Sequence, residues 1–207
     1  MTEDEARAWL HDALDVSRET LDRLDVYYHL VAEDGVRQNL VSRASLDDFW
    51  GRHIVDSAQL VLLAGKRASG QWLDIGSGAG LPGIVTAIVT GAPTMLVEPR
   101  RLRAGFLATA VDTLGLTRCR VEALPIERVA PFPADIVTAR AVAPLDRLLD
   151  MTRNHASPSC LFLFPKGRGG AEELASLPKR WQGDFRAISS VTDPESVIIT
   201  ATSVSRR

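Results

Sequence analysis

The chain has 207 residues, of which 45% are hydrophobic and 24% are charged, and this usage excludes an intrinsically disordered chain. The formal net charge of −2 excludes a protein that holds nucleic acid by overall positive charge, although 16 of the 24 basic residues fall within residues 71–207. No apolar stretch is long enough for a membrane helix, and the acidic first residues lack the apolar core of a secretory signal.

The two cysteines, Cys119 and Cys160, do not have the spacing of a metal site or of a disulfide scaffold. We therefore expect no bound metal. We also expect a reducing, cytoplasmic environment in which both thiols stay free.

The first part of the chain is predicted to be helical, because apolar residues recur there at steps of three and four. Thr2 and Glu5 fit a capping box at the start of the first helix, and Ser45 is expected to cap the third. The small and polar segment 64–71 predicts a linker to the rest of the chain. The three predicted helices contain residues 9–14, 21–28 and 46–55.

From residue 72 the pattern alternates short apolar strands with amphipathic helices. Two final apolar runs, 185–191 and 197–201, lie too close together for a helical crossover and predict an antiparallel hairpin. This order predicts an α/β fold with a doubly wound, mostly parallel, Rossmann-like sheet in residues 71–207, preceded by a helical extension in residues 1–70 with which it forms one compact unit. The other predicted strands are 72–75, 94–97, 119–124, 134–139 and 160–164, and the helices are 84–90, 102–114, 146–155 and 171–177.

A glycine-rich turn follows the first of these strands, where the backbone must pass close to any ligand. The spacing Asp74-x-Gly76-x-Gly78-x-Gly80 resembles motif I of class I S-adenosylmethionine (SAM) methyltransferases. A carboxylate two residues before the first glycine suits a ligand with a cationic amino group and a sulfonium, whereas it would repel a pyrophosphate.

A dinucleotide site is the second interpretation of the same turn. The pattern G-x-G-x-x-G is present at Gly78, Gly80 and Gly83, but it is displaced by two residues from the strand end and contains Pro82. An NAD(P)-dependent oxidoreductase is therefore the alternative enzyme. A module that binds SAM or RNA without turnover is the alternative outside catalysis.

Acidic residues lie at the next two predicted strands. Glu98 ends the second strand, where a carboxylate can accept both hydroxyls of a ribose in either class of cofactor. Val121 and Glu122 lie on the third strand, at the position where SAM methyltransferases hold the adenine ring.

Five short motifs occur in the order and spacing of one family, and from about residue 20 to its end the chain resembles the RsmG (GidB) family of bacterial 16S rRNA guanine-N7 methyltransferases. Departures are local: Ser42 stands where threonine is commoner, and Pro99-Arg100-Arg101 follows Glu98 where a small or polar residue often comes first. The motifs are Asn39-Leu40-Val41-Ser42, Arg52-His53-Ile54-Val55-Asp56-Ser57, the turn from Asp74 through Pro82-Gly83, Thr138-Ala139-Arg140-Ala141 and Pro165-Lys166-Gly167.

The resemblance implies a SAM-dependent enzyme that methylates N7 of one guanine in the 16S rRNA of the 30S ribosomal subunit. Independently of the resemblance, we expect no membrane partner and take a monomer as the default. Guanine N7 has a lone pair and carries no proton, so direct in-line displacement needs orientation of the base and no general base. The base must also leave its stack to reach the pocket.

The resemblance places Arg140 beside the cofactor, and the positions of other residues along the chain predict further roles. Arg140, Asn39 and His53 are expected to position the guanine, although Arg140 could instead pair with Asp135 or Asp146 at the surface. Lys166 could take an RNA phosphate or be a solvated lysine. The expected cofactor-binding residues are Asp74, Gly76, Ser77, Gly78, Gly80, Leu81, Glu98, Val121, Glu122 and Arg140, and the expected RNA-binding residues are Arg52, Arg100, Arg101, Lys166 and Arg168.

Overall fold

A seven-stranded sheet carries the fold of the computed structural model, which describes residues 1–207 apart from the side chain of Val36. The strand order is β3-β2-β1-β4-β5-β7-β6. Strands β1 to β5 pair in parallel, and β7 is antiparallel to both of its neighbours. The strands are β1 Trp72–Ile75, β2 Thr94–Val97, β3 Cys119–Glu122, β4 Ala134–Ala139, β5 Ala156–Lys166, β6 Trp181–Ser189 and β7 Val197–Arg206.

Helices cover both faces of this sheet. Alternate strand residues point to opposite faces, so Leu73 and Ile75 pack with Leu148 of α7, whereas Trp72 packs with Leu60 of α4. The α-helices are α1 Glu3–Leu14, α2 Arg18–Gln38, α3 Arg43–Leu46, α4 Asp56–Ala64, α5 Gly83–Thr90, α6 Arg101–Thr113, α7 Leu145–Thr152 and α8 Gly170–Ala175, with a π-helix at Trp50–Val55 before α4.

The structure confirms the predicted doubly wound sheet and its antiparallel C-terminal hairpin. β1, β2 and β4 have the predicted bounds, while β5 and β7 extend beyond the apolar runs that predicted them. The extra length of β7 comes from pairing with β6, in which polar residues alternate along an exposed edge. The predicted capping box at Thr2 and Glu5 is also confirmed.

Two local predictions in the helical extension are wrong. Ser42, not Ser45, caps the third helix, because its side chain accepts the backbone N–H of Ser45. Segment 64–71 is not an open linker: it ends α4 and continues as a 3₁₀ helix at Gly65–Ser69. Trp72 anchors this segment by donating its indole N–H to the carbonyl oxygen of Ala68 at 2.9 Å.

The helical extension shares its core with the sheet-bearing part. Leu24 and Tyr27 of α2 belong to the same apolar cluster as Ile84 of α5 and Phe106 of α6. The division at residue 70 stays a prediction. Residues before and after position 70 pack directly against each other. The extension lies against α5 and α6, which are the helices beside the glycine turn.

Within the described part of the chain, no helix has both the length and the apolar composition that crossing a membrane requires. Cys119 and Cys160 are free thiols. Among the described residues, no group of His, Cys, Asp and Glu side chains is arranged to hold a metal ion.

The first turn of α5 packs unusually close to β1. A Cβ atom on Gly83 would come within 2.3 Å of the Leu96 side chain and within 2.7 Å of the Asp74 carboxylate. The backbone N–H of Gly83 uses this proximity, because it donates to Asp74 Oδ2 at 3.2 Å. Because glycine has no side chain at position 83, α5 can begin directly against the end of β1, which carries the glycine turn.

Replacing Gly83 with Ala should lower the free energy of unfolding by about 1–3 kcal/mol, because the added methyl group must push α5 away from Asp74 and Leu96. Urea denaturation monitored by circular dichroism would measure this change. Gly105→Ala is the matched control, since that helical glycine has no atom within 4 Å of its added Cβ. It should stabilise α6 by about 0.5–1 kcal/mol. Equal effects of the two changes would contradict the packing argument.

Candidate active site

The glycine turn projects from the carboxyl end of β1, where parallel sheets of this type bind ligands. Gly76, Gly78 and Gly80 have φ angles of 66°, 58° and 93°, which L-residues with side chains rarely adopt. The backbone N–H groups of Gly76 and Ser77 both donate to the carbonyl oxygen of Val97, so the turn is anchored to β2. The predicted motif is thus a fixed loop with a conformation that requires glycine.

Two of these glycines face protein and one faces open space. An added Cβ would lie 2.6 Å from Val142 at Gly76 and 2.6 Å from Ile84 at Gly80. At Gly78 it would meet no described atom closer than 3.7 Å, and the nearest side-chain group is the guanidinium of Arg103 at 3.8 Å. The surface over Gly78 is therefore where a ligand can approach the backbone.

Asp74 is enclosed beneath the turn rather than exposed to a ligand. Its side chain is 1% exposed, and its carboxylate accepts the hydroxyl of Thr138 at 2.7 Å and the N–H of Gly83. Burial raises the pKa of Asp74 to about 6, against the opposing effect of these hydrogen bonds. Asp74 therefore fixes the turn and α5, and it can act on a cationic ligand through its charge rather than by contact.

Glu98 connects the end of β2 with the same turn. Its Oε2 accepts the N–H of Gly78 and its Oε1 accepts the N–H of Arg100, both at 2.9 Å. A carboxylate has about four acceptor positions, so two remain for hydroxyl donors. Glu98 is thus held in place by backbone groups while it keeps the capacity to bind a ribose.

β3 completes this edge of the site. Glu122 is opposite Val97 in the parallel register, and its carbonyl oxygen accepts the N–H of Glu98 at 3.1 Å. Val121 and Glu122 are both half-buried. The carboxyl ends of three adjacent strands, β1, β2 and β3, therefore bring the predicted cofactor residues side by side.

These residues fit SAM better than a dinucleotide. Two buried carboxylates, Asp74 and Glu98, suit a ligand with positive groups and ribose hydroxyls. Gly83, the third glycine of the dinucleotide pattern, is buried against Asp74 and Leu96 and does not line a ligand surface. Its glycine requirement is explained by helix packing, so the dinucleotide pattern is incidental.

The helical extension supports the turn from the other side. Tyr27 of α2 is fully buried, and its hydroxyl donates to the carbonyl oxygen of Ala79 at 2.8 Å. The spacing of apolar residues in the sequence predicts Tyr27 only as part of an apolar helix face. Nothing in a single sequence links residues 27 and 79, because their contact depends on how α2 crosses the sheet.

Arg140, at the end of β4, joins the sheet to the motif around His53. Its Nη1 donates to Asp56 Oδ2 at 3.1 Å and to the carbonyl oxygen of Arg52 at 3.4 Å. Its Nη2 lies 3.2 Å from His53 Nδ1. Two of the sequence motifs, almost 90 residues apart in the chain, therefore meet in one cluster.

His53 is a neutral member of this cluster. Burial, and then the nearby guanidinium groups of Arg140 and Arg52, lower the pKa of His53 to about 3. Because Nδ1 accepts from Arg140, the ring proton is on Nε2. The ring packs edge-on against Phe49, with ring centroids 5.1 Å apart.

Asp56 extends the cluster to the turn between β6 and β7. Its Oδ1 accepts Gln59 Nε2 at 3.0 Å and the Thr192 hydroxyl at 3.1 Å. Gln59 is buried and also bonds to Ser190 and to the backbone N–H of Val191. Sequence reasoning missed Ser190, Val191 and Thr192 as partners, since their contacts with Asp56 and Gln59 span more than 130 positions.

Two alternatives for basic residues are wrong. Arg140 pairs with Asp56 rather than with Asp135 or Asp146. Lys166 is not a solvated lysine, because its side chain is 12% exposed and its Nζ lies 3.0 Å from Glu173. Lys166 lines a cavity at the ends of β4 and β5, and its contact with RNA stays a prediction.

The other predicted RNA-binding residues lie on the surface. Arg100 and Arg101 are exposed where α6 starts, next to Leu102, which is 75% exposed. Arg168 is exposed and pairs with Glu195 at 2.8 Å.

Arg52 and Asn39 are the remaining predicted residues. Both are exposed, and Arg52 follows the start of the π-helix. Asn39 ends α2 with a φ of 49°. Among the described side chains, no hydrogen bond joins Asn39 to the Arg140 cluster.

Comparison with known proteins places this site in one family. The GidB family model, described as rRNA small subunit methyltransferase G, matches residues 20–196. The ribosomal RNA small subunit methyltransferase G of Zymomonas mobilis subsp. mobilis is 44% identical, over 99% of this chain and 95% of its own length. The protein of the same name from Rhizorhabdus wittichii is also 44% identical, over 100% of this chain and 95% of its own.

Solved structures with low sequence identity share the fold. Cofactor-bound Rv0187 from MTB superposes with a TM-score of 0.64 at 15% identity, covering 98% of each chain. A SAM-dependent methyltransferase from Aquifex aeolicus gives a TM-score of 0.57 at 14% identity, covering 79% of this chain and 94% of its own. With a family match over residues 20–196 and relatives at 44% identity along the whole chain, this protein belongs to the rRNA small subunit methyltransferase G family.

Proposed function

We propose that this protein transfers a methyl group from SAM to N7 of a guanine in the 16S rRNA of the small ribosomal subunit. The observation that carries the proposal is the turn at Gly76–Gly80, held between the buried carboxylates of Asp74 and Glu98. Membership of the rRNA small subunit methyltransferase G family supports both the reaction and the rRNA substrate.

The cofactor residues divide by task. SAM, when bound, supplies a methyl group activated by a sulfonium centre. Gly78 offers open backbone and Glu98 offers free acceptor positions for ribose hydroxyls, while Asp74 supplies negative charge from below. The remaining proposed residues around the cofactor are Gly76, Ser77, Gly80, Leu81, Val121, Glu122 and Arg140.

The acceptor side needs binding and orientation rather than a base. Guanine N7 carries no proton, and the neutral His53 is held by Arg140 and Phe49 as part of a wall. We assign Arg140 and His53, with Asn39 at the end of α2, to positioning the flipped guanine. Holding the reacting atoms about 3–3.5 Å apart can lower the barrier of such a step by about 7–11 kcal/mol.

Exposed arginines supply the RNA-binding surface in this proposal. Arg100 and Arg101 lie beside the cofactor turn, because Glu98 accepts the N–H groups of both Arg100 and Gly78. Arg52 and Arg168 lie toward the acceptor side, because the Arg52 carbonyl oxygen accepts from Arg140 and Arg168 follows Gly167 of the cavity lining. Guanidinium groups at these positions can contact phosphates and fix the register of the RNA. Lys166 is proposed to contact the RNA in the cavity at the ends of β4 and β5 rather than at an exposed phosphate, because it is paired with Glu173.

We infer that the substrate is presented by the 30S subunit or one of its assembly intermediates, and that the enzyme acts in the cytoplasm as a monomer. The helical extension and the sheet share one core, and this supports a chain that acts as a monomer.

Methyl transfer from tritiated SAM to 30S subunits prepared without this enzyme should label one guanine of the 16S rRNA. Chemical cleavage at 7-methylguanine would locate it. SAM binding without label on 30S subunits or naked 16S rRNA would favour a non-catalytic module. A melting-temperature shift with NAD(H) but not with SAM would favour an oxidoreductase.

Glu98→Ala should weaken SAM binding by roughly tenfold or more, because the ribose acceptor is lost.

Replacing both Arg100 and Arg101 with Ala should weaken rRNA binding and reduce the slope of log K against log salt by roughly 1.5–2, since two phosphate contacts are removed. Filter binding over a salt series would measure the slope. Arg118→Ala is the control, because that exposed arginine precedes β3 at the opposite end of the sheet and its guanidinium donates to the carbonyl oxygen of Gly91. A slope that is equal in both variants would remove Arg100 and Arg101 from the interface.

SAM affinity should fall as the pH drops below about 6, because protonation of Asp74 removes negative charge beneath a cationic ligand. We expect roughly three- to tenfold weaker binding at pH 5 than at pH 8 by isothermal titration calorimetry. In Asp74→Asn the affinity should be low at both pH values and the dependence should flatten. An unchanged pH dependence in this variant would show that another group is responsible.

A further inference from the structure

A cavity of about 250 Å³ opens at the carboxyl ends of β4 and β5, beside the β6–β7 turn. Its lining includes Asp56, Arg140, Ala141, Lys166, Ser190 and Val197. Pockets that hold drug-sized ligands have volumes of about 300–1,000 Å³. A single heterocyclic base is smaller than such a ligand, so a slightly smaller cavity suits it.

The cavity and the glycine turn share one short segment of chain. Arg140 and Ala141 line the cavity, and Val142, the next residue, covers Gly76 of the cofactor turn. Ala141 has a φ of 56°, so the chain turns sharply between the two sites. A base in the cavity would therefore lie next to the cofactor turn.

Each cation that lines this cavity has its own carboxylate. Arg140 pairs with Asp56 at 3.1 Å, and Lys166 pairs with Glu173 at 3.0 Å. All four side chains are less than a third exposed. The neighbouring His53 is neutral, because burial and the adjacent arginines lower its pKa. The wall is thus rich in hydrogen-bond donors but balanced in charge.

The arginines at the cofactor rim differ in this respect. Arg100, Arg101 and Arg103 lie at the start of α6, and among the described residues no carboxylate lies within salt-bridge distance of them. Uncompensated positive charge suits phosphates. Compensated charge suits a neutral group that must become positive during the reaction.

Guanine N7 is such a group. Its lone pair forms the new N–C bond while the S–C bond breaks, and the electron pair of that bond stays on sulfur. No proton moves, so the positive charge passes from sulfur to the base. A lone lysine or arginine beside the base would oppose this transfer of charge, whereas a paired one does not.

We propose that this cavity receives the acceptor guanine, and that Asp56 and Glu173 are positioning residues that cancel the charges of Arg140 and Lys166 during methyl transfer. The inference rests on the proposed function, and it names two residues that act through other residues rather than by contact with the base. Glu173 carries the cleaner test, because Asp56 also holds Gln59 and Thr192.

Glu173→Gln should slow single-turnover methyl transfer to 30S subunits by roughly tenfold or more, because Lys166 is left with an uncompensated charge. The Kd for SAM should not change, and the Kd for 30S subunits should stay equal or fall. Glu172→Gln is the matched control, since Glu172 is exposed on the same helix and carries no ion pair with a described residue. Its rate should equal that of the unaltered protein.

The double variant Lys166→Met/Glu173→Gln separates electrostatics from structure. Removing both charges should make the double variant at least about threefold faster than Glu173→Gln, because no uncompensated charge is left beside the base, whereas a structural role for Glu173 would leave the double variant at least as slow as the single one. Glu173→Gln as fast as Glu172→Gln, or a double variant without recovery, would overturn the proposal.

Asp56→Asn gives a second readout if Glu173→Gln lowers the melting temperature, because Glu173 also accepts the N–H of Leu145. Asp56→Asn should likewise slow the chemical step without weakening SAM binding, and an unchanged rate would count against the proposal.

If the unaltered protein labels no rRNA, the proposed function itself fails. If it labels rRNA and the variants are equally fast, only the charge compensation fails.

Discussion

The buried carboxylate of Asp74 is the constraint on which the rest of the site depends. It joins three elements, because it belongs to β1, accepts the Thr138 hydroxyl from β4 and accepts the first N–H of α5. The enclosure raises its pKa to about 6, so the protein keeps a charge where burial disfavours one. That arrangement requires glycine at position 83, fixes the turn above it and leaves negative charge under the surface that a cationic cofactor would occupy.

The distribution of charge separates two tasks on one edge of the sheet. Arg100 and Arg101 are exposed without carboxylate partners among the described residues, which suits a polyanionic backbone. Arg140 and Lys166 are half-buried and paired. In a partly desolvated cavity an unpaired cation would act strongly on any charge that develops nearby, so the pairing matters more there than it would at the surface.

Some predictions were right because they depend on local or periodic features. The strands at 72–75, 94–97 and 134–139 follow from apolar runs between turn residues, and the Thr2 cap follows from a spacing of three. Predictions that depended on packing were less accurate. Ser42 rather than Ser45 caps α3, and the segment at 64–71 is folded because the buried Trp72 holds it against the sheet.

The sequence by itself determined the sheet, its hairpin and the cofactor turn, because periodicity and the glycine requirement act over a few neighbouring residues. It also identified Arg140, His53 and Asp56 as parts of candidate motifs, but it did not show how these residues pair. Only the tertiary structure decided that Tyr27 supports Ala79 and that Lys166 turns inward to Glu173. Such contacts join elements whose crossing is set by the packing of the whole core, and no local pattern in the chain records which side chains will meet there.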